Sequence, residues 1–171
     1  MASRQVGDRR MALRHFIVAA TALLLGGAGP NTPAISGGSE LARGEYLVTI
    51  AGCNDCHTVG WNQAPGQVPV ARRLTGNPVG WHGPWGTSYA VNLRLLVSRM
   101  TADAWVTYIG GMQSRPPMPW FNMKSMAESD LRAMYAYIHS LGPAGEATPE
   151  PLPPGEVPKT PYLNAVPQPP G

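Results

Sequence analysis

The chain has 171 residues, enough for one domain with extensions, and only 13 % of them are charged. Its 20 glycines and 19 prolines are about twice the usual share, and they fall in particular stretches. The formal charge of +3 comes from the first 28 residues, which hold four arginines and one aspartate; the rest holds nine basic and nine acidic residues, which excludes the basic patch of a nucleic-acid-binding protein.

Arg4, Arg9, Arg10 and Arg14 precede an apolar run from Phe16 to Leu25, and Gly26-Gly27-Ala28 follows. This is the order of a secretory signal peptide, predicted to span 1–28 with cleavage after Ala28. The run is short of the roughly 20 residues that cross a bilayer, which disfavours the alternative of a retained anchor. Export to the periplasm is therefore expected. Residues 29–38 read as a Gly/Pro/Ser-rich linker.

Ser39 to Gly52 reads as a helix, with Ser39 as N-cap and Glu40 in the first turn. Gly44 inside it lowers helix propensity. Either the position is merely tolerated, or another helix crosses closely there.

The helix runs into Cys53-Asn54-Asp55-Cys56-His57. This is C-x-x-C-H, the attachment signature of a c-type haem. Two thiols at this spacing reach one edge of a porphyrin as thioethers, and the histidine can ligate the iron. A redox disulfide would call for a βαβ surrounding, and no strand-rich pattern is evident. A zinc site would have to recruit His82 and His139, at spacings unlike any familiar framework.

Residues 58–100 carry no helical period and are punctuated by Gly and Pro. A loop this long needs a reason, and packing against a haem supplies one. Trp61, Trp81, Trp85 and Tyr89 are candidates to line the crevice, or else are plain core aromatics. Thr101 to Ile109 reads as a second helix, capped by Thr101 and stopped by Gly110-Gly111, with Ala104, Trp105, Tyr108 and Ile109 inward.

In Arg115-Pro116-Pro117-Met118-Pro119-Trp120, a methionine between prolines cannot lie inside a helix. It is presented on a stiff loop, as a sixth iron ligand would need. Met100, Met112, Met123 and Met126 compete for that role. Ser125 to Leu141 reads as the strongest helix, with Ser125 and Glu128 as a capping box and Leu131, Met134, Tyr135, Ile138 and Leu141 as an apolar stripe. His139 in its last turn complements the helix dipole. Residues 143–171 are proline-rich and predicted to be an extended, mostly disordered tail.

With these elements in this order, residues 39–142 resemble the mono-haem class I cytochrome c family. They are most similar to the cytochrome subunits or partners of bacterial periplasmic and membrane-bound dehydrogenases. The matching stretches are Gly44 to Leu47, Gly52 to Thr58, Trp85 to Leu93, Arg115 to Trp120 and the helix from Asp130 to Tyr137. The resemblance implies an all-α cytochrome c fold of few helices and long loops around one covalent haem c. It implies that the first and last helices cross, with Gly44 and Tyr137 at the crossing. It implies Cys53, Cys56, His57 and Met118 as the haem-binding residues, with His57 and Met118 as axial ligands.

The stretch Arg94 to Met100 departs from the Thr-Pro turn and Gly-rich run of similar proteins. Asn92 and Arg94 are left as weaker candidates to meet the propionates. The function expected is electron transfer rather than enzymatic turnover, between redox partner proteins on the dehydrogenase or terminal-oxidase side, with membrane association through those partners. The rival readings are a haem enzyme or gas sensor with an open axial position, and a non-catalytic cytochrome subunit that docks through its tail.

Overall fold

The computed structural model describes residues 37–167, 169 and 170. Residues 1–28, expected to be a signal peptide, and most of the expected linker lie outside the described residues. The first helix, α1 (Gly37–Ile50), begins inside the stretch expected to be linker. It is followed by α2 (Cys53–His57), strands β1 (Asn77–Gly83) and β2 (Gly86–Ala90), α3 (Leu93–Val97), α4 (Ala102–Gly111), α5 (Trp120–Lys124), α6 (Glu128–Ser140) and β3 (Tyr162–Asn164).

The core lies where α1, α4 and α6 meet. Leu47 and Val48 of α1, Trp105 and Ile109 of α4, and Leu131, Met134 and Ile138 of α6 are all buried. Burying such side chains stabilises the fold by roughly 1.5–3 kcal/mol each. The crossing of α1 and α6 turns on Gly44. A methyl there would overlap the Ala133 carbonyl oxygen and come within 2.7 Å of Tyr137 Cβ. The helix-breaking residue is thus the one that lets two backbones touch. Across the same crossing the Arg43 guanidinium donates to both carboxylate oxygens of Asp130, at 3.1 Å each.

α4 starts as predicted, with Thr101 Oγ1 accepting the Ala104 N–H at 3.2 Å. Trp105 and Ile109 face inward, but Ala104 and Tyr108 are exposed. The apolar stripe of α6 is also as predicted, but its capping box is not. Ser125 closes α5 instead, its Oγ donating to Phe121 O at 3.0 Å, and Ala127 stands at the N-cap of α6. A five-residue helix between Pro119 and Ser125 leaves too little periodicity to be read from sequence.

The fold is not purely all-α. Among the described residues six α-helices and a 3-10 turn at Val70–Arg72 are accompanied by a three-stranded sheet of order β2-β1-β3. β1 and β2 form an antiparallel hairpin turning between Gly83 and Gly86, and β3 joins β1 in parallel. Of the glycines that read as loop punctuation, Gly83 and Gly86 bound the turn of this hairpin. The C-terminal segment is extended, as expected, but not disordered. It returns to the body and pairs with it at Leu152 and along β3. Its backbone groups find partners there, which proline-rich composition does not reveal. Among the described residues no helix is long and apolar enough to cross a membrane.

Gly44→Ala is expected to lower the unfolding free energy of the holoprotein by about 2–3 kcal/mol, because the crossing must open. Gly110→Ala, in the last turn of α4 with nothing within 4 Å of the new methyl, is expected to stabilise by about 0.5 kcal/mol. Urea unfolding of the two variants checks both signs.

Candidate haem site

The C-x-x-C-H segment is itself a short helix, α2, and its two thiols are free and half-buried. Burial pushes the Cys53 thiol up to about 12, with a backbone hydrogen bond opposing and the Asp55 carboxylate adding to the rise. Cys56 is raised by the same burial and the same carboxylate. Redox-active C-x-x-C pairs have depressed thiol pKa values, so this environment argues against disulfide chemistry. Among the described residues no three His, Cys, Asp or Glu side chains gather to hold a metal ion, so the zinc alternative has no cage.

A buried polar chain fixes the turn after α2. Thr58, 1 % exposed, donates from Oγ1 to Asn54 Oδ1 at 2.8 Å and accepts the Leu74 N–H at 2.8 Å. The Gly76 N–H then donates to the His57 carbonyl at 2.8 Å. These contacts dock the haem-attachment turn against the segment Leu74–Gly76 that leads into β1.

His57 is 7 % exposed, and its Nδ1 lies 2.7 Å from the Val91 carbonyl. A carbonyl can only accept, so Nδ1 carries the proton and Nε2 keeps its lone pair. Burial lowers the pKa of the ring, with the Val91 bond opposing. The imidazole is therefore held neutral and in the tautomer a metal ligand needs.

Both thiols, His57 and Met118 line one cavity of about 560 Å³, within the size range of cofactor pockets. Its inner wall is apolar, built from Leu93, Leu96, Trp105, Ile109, Met134 and Ile138. Ser88 lines it as well. The donor set of two thiols, an imidazole and a thioether, set against an apolar wall, fits a haem.

Of the competing methionines, Met112, Met123 and Met126 also line the cavity, whereas Met100 does not. Trp81 and Tyr89 line it, but Trp61 and Trp85 do not. Trp61 instead lies under the Arg73 guanidinium, 5.4 Å from ring centroid to Cζ. Asn92 and Arg94 are not in the wall either. Asn92 caps α3 through Leu95 N–H and donates to the Ala144 and Glu146 carbonyls at 2.8 and 3.1 Å. Arg94 donates to Ala71 O at 2.9 Å and to the carbonyls of Leu141 and Gly142, which α6 leaves open at its end. Both side chains are spent on backbone groups, so neither is placed for a propionate.

Sequence reading missed the Asn54–Thr58 pair and Ser88. Thr58 stands directly after the signature, the one clue available. The Val91 carbonyl left no clue, because a backbone acceptor carries no residue-type signal.

A helical core with a C-x-x-C-H helix opening into an apolar cavity defines a c-type haem protein. The family model described as Cytochrome c matches residues 41–142, more than half of the chain, and the chain belongs to that family. The family binds haem c covalently, and the Cys53, Cys56 and His57 spacing fits it. Membership points to haem-based electron transfer. No curated protein and no solved structure matches the chain.

Thr58→Val keeps the shape of the side chain but strands the Leu74 N–H and Asn54 Oδ1. A loss of about 2 kcal/mol in the stability of the holoprotein is expected, measured by denaturant unfolding followed at the haem absorption.

Proposed function

We propose that the protein is an exported single-haem electron carrier in which His57 and Met118 are the axial ligands, working between a dehydrogenase and the respiratory chain. The observation that carries this reading is the single cavity lined by both thiols, His57 and Met118. Bound haem supplies one-electron chemistry at its iron. The chain's work is to hold the ligands and keep water out.

Met118 is favoured over the helical Met123 by its backbone, and over Met112 and Met126 by the prolines on either side of it. It lies outside any helix, on a turn closed by its own N–H to Arg115 O at 3.3 Å, and its carbonyl accepts the Trp120 N–H at 2.9 Å. Met123 belongs to α5 and is packed into the core. A neutral thioether opposite histidine raises the iron's potential and suits electron transfer.

The mouth of the cavity supports docking through an apolar rim. Ile50, Val91 and Tyr108 line the cavity and are also exposed. Asp55 and Arg115 are the charged residues in its wall, one of each sign. Residues 29–171 balance nine basic against nine acidic groups, so long-range charge steering has little to act on.

In the ferric protein a near-infrared iron–sulfur band is expected, and ferrous protein should resist carbon monoxide. Met118→Ala abolishes the band, lowers the potential and admits carbon monoxide, whereas Met112→Ala and Met123→Ala keep the band. Survival of the band in Met118→Ala reassigns the ligand. Rapid carbon monoxide binding by the unaltered protein would make it an open-site haem enzyme or sensor instead.

The rate of electron exchange with a redox partner is expected to change by no more than about threefold between roughly 0.01 and 0.5 M salt. A steep fall in stopped-flow rates would show charge steering and contradict docking through the apolar rim.

A further inference from the structure

The C-terminal segment leaves the family domain at residue 142 and runs back over one side of the cavity wall. Its first contacts are the Ala144 and Glu146 carbonyls on Asn92, at the junction of β2 and α3. Leu152 then pairs with Thr87 of β2 through both backbone bonds, each 3.0 Å. Gly86 beside it has φ +98°, and a Cβ there would overlap the Leu152 carbonyl oxygen. The hairpin turn is thus shaped to receive the segment. Further on, Thr160 Oγ1 lies 2.8 Å from the hydroxyl of Tyr89, and β3 covers the outer edge of β1. Trp81, Ser88 and Tyr89, on the two hairpin strands so engaged, line the cavity.

One contact reaches the other side of the cavity. The Leu152 carbonyl that accepts from Thr87 also accepts from Arg115 Nη1 at 2.8 Å. The carbonyl of Arg115 in turn accepts the Met118 N–H. One backbone oxygen of the C-terminal segment therefore joins the hairpin wall to the turn that presents Met118.

We infer that residues 143–167 form a strap that holds the hairpin and the Met118 turn closed over the cofactor, with Arg115 as the positioning residue that couples strap to ligand. This rests on Met118 being an axial ligand. The strap acts on the equilibrium between the closed site and one in which the Met118 turn swings away. Loosening it raises the open fraction, and an external ligand that binds only the open state gains apparent affinity in proportion.

The test is imidazole binding to the ferric holoprotein, followed as loss of the near-infrared iron–sulfur band. Arg115→Met removes the tie and is expected to tighten imidazole binding about fivefold, the effect of one exposed charge-assisted hydrogen bond. Arg115→Lys keeps the charge and a donor and is expected to stay within about twofold of the unaltered protein. Thr160→Val, on the other arm of the strap and clear of the cavity, is expected to tighten binding in the same direction. Arg115 is exposed, so its variants do not put the core at risk. Unchanged imidazole affinity in both Arg115→Met and Thr160→Val overturns the strap while leaving the Met118 ligand intact. Retention of the band in Met118→Ala removes the ligand assignment and the strap with it.

Discussion

The hydrogen bond from His57 Nδ1 to the Val91 carbonyl is the interaction on which the rest of the site depends. It fixes the tautomer of the one histidine that follows the attachment thiols. It also requires the chain between β2 and α3 to stand at a set distance from α2. Asn92, the next residue, secures that position by capping α3 and gripping the Ala144 and Glu146 carbonyls. One ring orientation is thereby tied to a helix, a hairpin and the C-terminal segment. The buried Thr58–Asn54 pair does the same from the opposite side of the turn.

The frame that carries this site is the crossing of α1 and α6. Its closeness is set by a missing side chain at Gly44. Once the two helices touch, the C-terminal end of α1 delivers α2 to the cavity, while Met134 and Ile138 of α6 form part of its apolar wall. Trp105 completes the arrangement from α4, donating from its indole N–H to Leu131 O at 3.0 Å while its ring lines the cavity. The same residues thus serve as core and as cofactor wall.

What could be read from the sequence follows from the range over which each signal acts. Thr101 capping α4 and the stripe on α6 are local patterns, and both are present in the structure. C-x-x-C-H is local chemistry and was legible in full. Ser125 misled because its hydroxyl could either accept a first-turn N–H of α6 or donate to a carbonyl of α5; it does the latter, and closes α5 rather than opening α6. The sheet was illegible because β1 pairs in parallel with a strand far along the chain. Its own sequence, Asn-Pro-Val-Gly-Trp-His-Gly, carries no clean alternation. Asn92 and Arg94 were only weak candidates to meet the propionates, suggested by the family resemblance of the stretch that ends in Asn92-Leu93. Their partners are backbone carbonyls from the end of α6 and just beyond it, which only the fold brings near.

The C-terminal segment shows most clearly how composition can mislead. Proline removes backbone donors and keeps the chain out of helices, so a proline-rich stretch reads as unable to pack. The structure uses the residues between the prolines instead. Leu152, Thr160, Tyr162 and Leu163 supply the pairing groups, and the prolines hold the chain extended between those points. An extended chain of fixed φ loses less entropy when it is laid against a sheet edge. That makes such a sequence well suited to a strap with few contacts. A helix of the same length would have needed an apolar face of its own. The domain's surface on this side is a hairpin edge and a non-helical turn, and backbone hydrogen bonds from an extended segment are what both can accept.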